Sequence, residues 1–337
     1  MSMRKFFTPA GRTGLISSPF SLKVVSRSFS GVAIRFLVFQ IGVKNTKVHF
    51  LNASGWWFAS IVPLFGPAKR RFMSQVALVT GASSGVGESL APLLASRGWR
   101  VYGMSRRSVD LPGVFALPAD ISDAEALGRA IGELKAREGR LDAVLHCAGV
   151  GGAGAVESMP TGRARRIMET NFWGSWNLCQ STLPLLRQSP RGRLLLVSSI
   201  AGHMGIPFRS VYCASKASVI ALSDSLRLEL QGSAVQVSCI SPGDIATNSI
   251  ATQYRQPAAE LDPLYRARYQ RADDAMAANV DHGMSASHVA EEMMRILLKK
   301  QLAPHYVIGE PVQKISTVAR RLLPARAWEW ILGRYYS

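Results

Sequence analysis

Residues 75–99 read QVALVTGASSGVGESLAPLLASRGW, and the fold turns on how this stretch divides. QVALVT is a near-continuous apolar run, the signature of a strand covered on both faces. VGESLAPLLASRGW reads as the helix that follows. Between them lies a turn carrying Gly81, Gly85 and Gly87. A strand that passes through a glycine turn into a helix is the opening unit of a parallel α/β sheet.

The pattern repeats outward from there. RVYGMS (100–105), GVFALPAD (113–120), LDAVLHCAG (141–149), GRLLLVSS (192–199), AVQVSCISPG (234–243) and HYVIG (305–309) read as further strands or strand ends. Helices are expected at 123–139, closed by Gly139, at 161–188, at 210–231, ended by Gly232, and at 286–300. The expected fold is α/β: a Rossmann-type doubly wound parallel sheet with helices on both faces, forming a single domain over 73–310. Ligands of such a sheet bind at the carboxyl ends of its strands.

Two segments flank that domain. Residues 1–72 hold eleven Lys and Arg and no Asp or Glu, against a net charge of +18 for the 337-residue chain. This N-terminal extension reads as a dispensable leader, an organelle-targeting presequence or a membrane-associating segment. Its apolar stretches are interrupted or shorter than the roughly 20 residues that span a bilayer. The tail, 311–337, is basic and aromatic. Three settings suit it: a membrane surface with Arg outward, the domain itself, or a second subunit. Pro324 prevents it from being one long helix. The expected location is cytoplasmic, with membrane association or organelle targeting as the alternatives. Because the charge is concentrated in the leader, and no binding element accompanies it, a nucleic-acid partner is not expected. The cysteines, Cys147, Cys179, Cys213 and Cys239, show neither a CxxC pair nor metal spacing, so a metal is not expected and reduced structural thiols are.

The glycine turn has the form of a phosphate cradle. Gly81 allows the tight turn, Gly85 a close approach to a pyrophosphate, and Gly87 close helix–strand packing, with Ser83, Ser84 and Val86 completing the loop at a helix N-terminus. Where the second strand ends, an acid would favour NAD. Here stand Ser105, Arg106 and Arg107, and a guanidinium suits the 2′-phosphate of NADP(H). Asp120, followed by Ile121, fits either the adenine amino group or a local loop or capping role. Further on, VYCASK puts Tyr212 and Lys216 one helical turn apart on one face.

Taken together these residues resemble the short-chain dehydrogenase/reductase family over about Gln75–Gly309. TGASSGVG (80–87) meets its TGxxxGxG motif, and Asn171, Ser199, Tyr212 and Lys216 match its catalytic tetrad, with PGDIAT (242–247) similar to its PGxxxT motif. The resemblance implies that Pro242, Gly243 and Thr247 lie beside the nicotinamide, and that Lys216 also binds the nicotinamide ribose. It further implies that Asn171 holds a proton-relay water. The usual NNAG reads His146-Cys147-Ala148-Gly149 here, which keeps the turn at Ala148 and Gly149 but changes the side chain that steadies the strand. His146 is expected to be structural. Chemically, a ketone that receives hydride needs a proton. Tyr212 can supply it, a neighbouring ammonium lowers the phenol pKa, and the Ser199 hydroxyl can polarise the carbonyl.

The resemblance extends to hydroxysteroid dehydrogenases through IPFRSVYCASK. Met204, Ile206, Pro207 and Phe208, with Tyr254, Leu261, Leu264, Tyr265, Tyr269 and Met276 on a flap over 248–285, suggest an apolar cleft for a lipophilic carbonyl or alcohol. A 3-oxoacyl-thioester reductase and a non-catalytic NADPH sensor or scaffold are the alternatives. The family also implies a homo-oligomer built on the helices of 161–188 and 210–231.

Overall fold

The computed structural model describes residues 74–246 and 253–336, together with the backbone of four strands nearer the N-terminus. Two compact units divide the chain, Met1–Phe72 and Met73–Ser337. In the first, strands Ser21–Phe29, Val32–Gln40, His49–Asn52 and Gly55–Trp57 pair antiparallel in chain order. The apolar run around 32–40 is therefore a strand. Among the described residues no helix is long and apolar enough to cross a membrane.

The second unit is built on seven parallel strands: β1 (Val76–Thr80), β2 (Arg100–Met104), β3 (Val114–Ala116), β4 (Ala143–His146), β5 (Arg193–Val197), β6 (Gln236–Pro242) and β7 (His305–Ile308), in spatial order β7-β6-β5-β4-β1-β2-β3. Chain order reverses between β1 and β4, which opens the crevice in which this architecture binds its ligands.

Alternation along the strands builds two cores. Leu78, Tyr102, Val144, Leu194 and Leu196 face one side, against α2 (Ala124–Glu138), α4 (Gly174–Leu186) and α5 (Ser210–Glu229). Ala77, Val79, Val101, Leu145, Leu195 and Ile240 face the other, against α1 (Gly85–Ser96) and α7 (Ala286–Leu298). Covering both faces explains why the strands read as unbroken apolar runs. Helix limits follow local chemistry. Asp123 caps α2 by accepting from the Glu125 and Ala126 amides, and Gly139 ends it with φ 70°.

Two elements differ from the sequence expectation, and a third, the tail, is divided as expected. The long helix over 161–188 is α3 (Thr161–Met168), then a π-helical turn at Glu169–Trp173, then α4. The flap contains a regular helix, α6 (Pro263–Asp281), started by the Asp262 side chain and Pro263 at its first turn. The tail forms α8 (Pro311–Leu322) and α9 (Ala325–Tyr335), separated at Pro324 as its ring requires.

Candidate active site

The loops after β1, β4, β5 and β6 converge at the carboxyl edge of the sheet. Gly81 has φ 70°, and a Cβ there would sit 2.8 Å from the Ala148 amide; a Cβ at Gly87 would lie 2.4 Å from the Gly81 carbonyl oxygen. Both glycines are thus demanded by close backbone approach. Ser83 and Ser84 are exposed, Val86 is buried, and Ser84 occupies the N-cap of α1 without using its side chain there. The first amides of α1 keep their hydrogens for a ligand, as an anion site at a helix N-terminus requires. Beyond β2, Ser105 is buried with its hydroxyl donating to the Arg107 carbonyl, while Arg106 and Arg107 are exposed. The carboxylate of Asp120 accepts from the Ser122 amide and hydroxyl, a local loop role, and Ile121 is buried beside it. Pro242 is buried and Gly243 half-buried at the end of β6; Thr247 lies outside the described residues.

His146 takes over the anchoring role at the end of β4. Its Nδ1 lies 2.7 Å from Thr80 Oγ1 and its Nε2 2.8 Å from Ser175 Oγ, and Thr80 Oγ1 in turn accepts from the Ala148 amide. Burial holds this imidazole neutral, its pKa pushed down to about 3. The residue ties β1, α4 and the β4 loop together and is structural.

The π turn carries Asn171 inward, where it is 1% exposed. An inserted π turn re-aims one side chain without ending a helix. Its Oδ1 accepts from the Val150 amide at 2.8 Å, and its Nδ2 donates to the Val150 carbonyl and to Ser215 Oγ, each at 2.9 Å. Gly149 lies against this group: a Cβ on it would come within 3.1 Å of Lys216 Nζ and 3.2 Å of Asn171 Oδ1. Lys216 is buried and donates to the Val197 carbonyl at 3.1 Å. Burial pushes its pKa down to about 8.

Tyr212 is half-buried, one turn before Lys216 on α5. Burial raises its phenol above the ordinary value, and the Ser199 hydroxyl and the Arg209 charge work against that rise. Ser199 begins a short 3₁₀ turn, its Oγ accepting from the Ala201 amide at 3.2 Å. All four tetrad residues therefore meet at one edge of the sheet.

Ser199 and Tyr212 open onto a cavity of about 450 Å³. Its walls include Met204, Ile206 and Met276, as the sequence suggested, and also Val312, Ile315, Trp328 and Tyr336 of the tail. The tail residues were not legible as site residues, because nothing in their spacing says what they cover. Conversely, Leu261, Tyr265, Tyr269 and Phe208 pack together against Ala153 and Ala155 as a separate cluster, and Leu264 is exposed. Among the described residues no cluster of His, Cys, Asp and Glu stands ready to hold a metal ion.

A parallel sheet with a glycine cradle after its first strand and a Ser–Tyr–Lys constellation beside the crevice defines a nucleotide-dependent oxidoreductase site. The comparisons agree. Residues 75–258 match the family model described as short chain dehydrogenase. The chain is 29% identical over 264 residues to 3-ketodihydrosphingosine reductase of Bacteroides thetaiotaomicron, covering 78% of this chain and 98% of the relative. It is 31% identical over 255 residues to the probable short-chain type dehydrogenase/reductase VdlC of Helicobacter pylori, covering 74% and 93%. A short-chain dehydrogenase from Streptomyces avermitilis shares the fold with a TM-score of 0.65 at 24% identity, covering 77% and 97% of the two chains. The protein belongs to the short-chain dehydrogenase family, dehydrogenases and reductases that bind a nicotinamide cofactor and a small-molecule substrate.

Proposed function

We propose that the protein is an NADP(H)-dependent oxidoreductase interconverting a lipophilic ketone or aldehyde and its alcohol. One observation carries this reading: Tyr212 and Ser199 face a largely apolar cavity, with Lys216 one turn behind. Gly81, Ser83, Ser84, Gly85, Val86 and Gly87 would hold the pyrophosphate, Asp120 and Ile121 the adenine side, and Arg106 and Arg107 the 2′-phosphate. Ala148, Gly149, Pro242, Gly243 and Thr247 would flank the nicotinamide, and Lys216 its ribose. Bound there, the cofactor supplies or accepts the hydride.

The chain's own residues handle the proton and the charge. Tyr212 donates its phenolic proton to the oxygen of the reduced carbonyl and takes it back in the reverse direction. Ser199 donates a hydrogen bond to that oxygen as its charge develops. The buried Lys216 ammonium steadies the phenolate, and Asn171, fixed by Val150 and Ser215, holds the relay that reprotonates the site. Residues 73–310 would carry this chemistry, and 311–336 would shape the substrate.

Supporting the lipophilic class is the relative named as a 3-ketodihydrosphingosine reductase. Exposed Val312, Ile315, Val318, Leu322 and Trp330 beside Lys314, Arg320, Arg321, Arg326 and Arg334 favour peripheral contact with an anionic membrane. Exposed Trp173 at the end of the π turn and Trp176 in the first turn of α4 favour a homo-oligomer.

The test is reduced-nicotinamide oxidation by the purified full chain over a panel of steroid, retinoid, aromatic and acyl carbonyls. Turnover with NADPH and little with NADH is expected. Replacing Arg106 and Arg107 together by alanine should weaken NADPH binding about 10- to 100-fold, in line with one or two charge-assisted bonds. Equal use of both cofactors, or an unchanged NADPH affinity in the double variant, would remove the NADP assignment.

A further inference from the structure

The residue that the proposed chemistry does not use is Arg209. It stands three positions before Tyr212, at the N-cap of α5, and lines the same cavity. It is 8% exposed. Among the described residues its guanidinium has no hydrogen bond and no ion pair within 4.0 Å. Asp244, the acid on the cavity wall, is engaged instead by Gln313 Nε2 at 2.9 Å. The Arg209 charge is felt by the Asp244 carboxylate, yet no hydrogen bond among the described residues engages its five donors, and the residue lines the open cavity.

The backbone before it points the same way. Phe208 has φ 60°, alone among the described non-glycine residues in having a positive φ. It is clamped there. Its ring meets Tyr265 and Tyr269 edge-on, with centroids 6.4 and 5.4 Å away, and its carbonyl accepts from the Gly154 amide at 2.8 Å. A bulky residue in the left-handed region persists only where its surroundings force it, and such positions gather at ligand sites. The cavity is also graded. Ser199, Arg209, Tyr212, Asp244 and Gln313 share it with the apolar Trp328, Ile331 and Leu332 of α9.

We infer that Arg209 is the anchor for an anionic group, a carboxylate or a phosphate, carried by the substrate a few atoms from its reacting carbonyl, with the apolar chain of that substrate lying along α9. This specifies the substrate class of the oxidoreductase reading and rests on that reading for its kinetic arm alone. In that arm, the full-length protein is given γ-oxododecanoate and, separately, its uncharged methyl ester. The acid should be preferred in kcat/KM by at least tenfold, and Arg209→Gln should collapse that preference, chiefly through KM. Arg209→Lys should restore part of it, which also guards against a misfolded variant.

The second arm needs no turnover. Quenching of tryptophan fluorescence by dodecanoate, dodecyl phosphate and dodecanol reports binding directly, Trp328 being on the wall. Either anion binding at least tenfold more tightly than the alcohol, in an Arg209-dependent way, is the expected result, and the tighter of the two names the head group. If neither ketone is reduced but this selectivity holds, the reductase reading fails and the anion site stands. Equal binding of anions and alcohol overturns the anion site. So does an Arg209→Gln variant that slows acid and ester alike while shifting the pH profile, because Arg209 would then act only through Tyr212.

Discussion

Two regions of the catalytic unit share one cavity but obey different rules. The loop edge that brings together Gly81, Asn171, Ser199, Tyr212 and Lys216 is fixed by backbone contacts and buried hydrogen bonds with little slack. The opposite wall, made by α6, α8 and α9, is held by apolar packing around residues such as Met276 and Trp328, and much of α8 is exposed. On the proposed reading, the first region dictates what is done to a molecule and the second which molecule arrives. Chemistry needs atoms within tenths of an ångström, whereas apolar selection tolerates approximate shape.

Substitutions can break that comparison. Tyr212→Phe strikes the first region hardest: kcat should fall by about a thousandfold or more while cofactor affinity, by titration, stays within about twofold. Retained turnover would detach the chemistry from this tyrosine. Lys216→Met should also lose most activity, yet its stability should respond the other way. The unfolded chain keeps the lysine proton up to about 10.5 and the folded protein only to about 8. Between those values the unfolded state binds more protons, so wild-type stability gains with rising pH. Denaturant titrations of the two cofactor-free proteins should show this gain in the wild type and its absence in Lys216→Met. An identical pH dependence would mean that the ammonium is not buried.

Trp328→Ala tests the second region. It should raise KM for lipophilic ketones about tenfold, from the lost apolar contact, while kcat for a small water-soluble ketone changes little. A fall in kcat for both would show that the two regions are not separable. The smallest effect is expected far from either. Gly139→Ala at φ 70° should cost about 1 kcal/mol in a thermal melt and leave kinetics untouched.

The first region was largely legible in the sequence, the second was not. Strands buried on both faces leave unbroken apolar runs, and the glycine cradle and the Tyr–Lys spacing are local facts that survive without coordinates. The π turn at Asn171 was invisible because a single inserted residue leaves helical composition unchanged. The flap helix α6 was missed because its many charges mask a weak apolar face. The tail offered aromatic residues at suggestive spacing, but whether they meet a membrane, another subunit or the cavity depends on long-range packing. Arg209 sat in plain view three positions before Tyr212; its meaning comes only from surroundings that place it on the cavity wall with no hydrogen bond to its donors among the described residues.

His146 also sets how the fold responds to acid. Its neutral ring joins Thr80 to Ser175 at the centre of the sheet, directly beneath the glycine loop. The folded protein resists protonating it until about pH 3, while the unfolded chain accepts the proton near 6.5. Acid therefore draws the protein toward unfolding throughout that interval. Mild acidification narrows the margin against unfolding while the native joint stays intact, so the folded protein should survive less long in an acidic vesicle than in a neutral fluid.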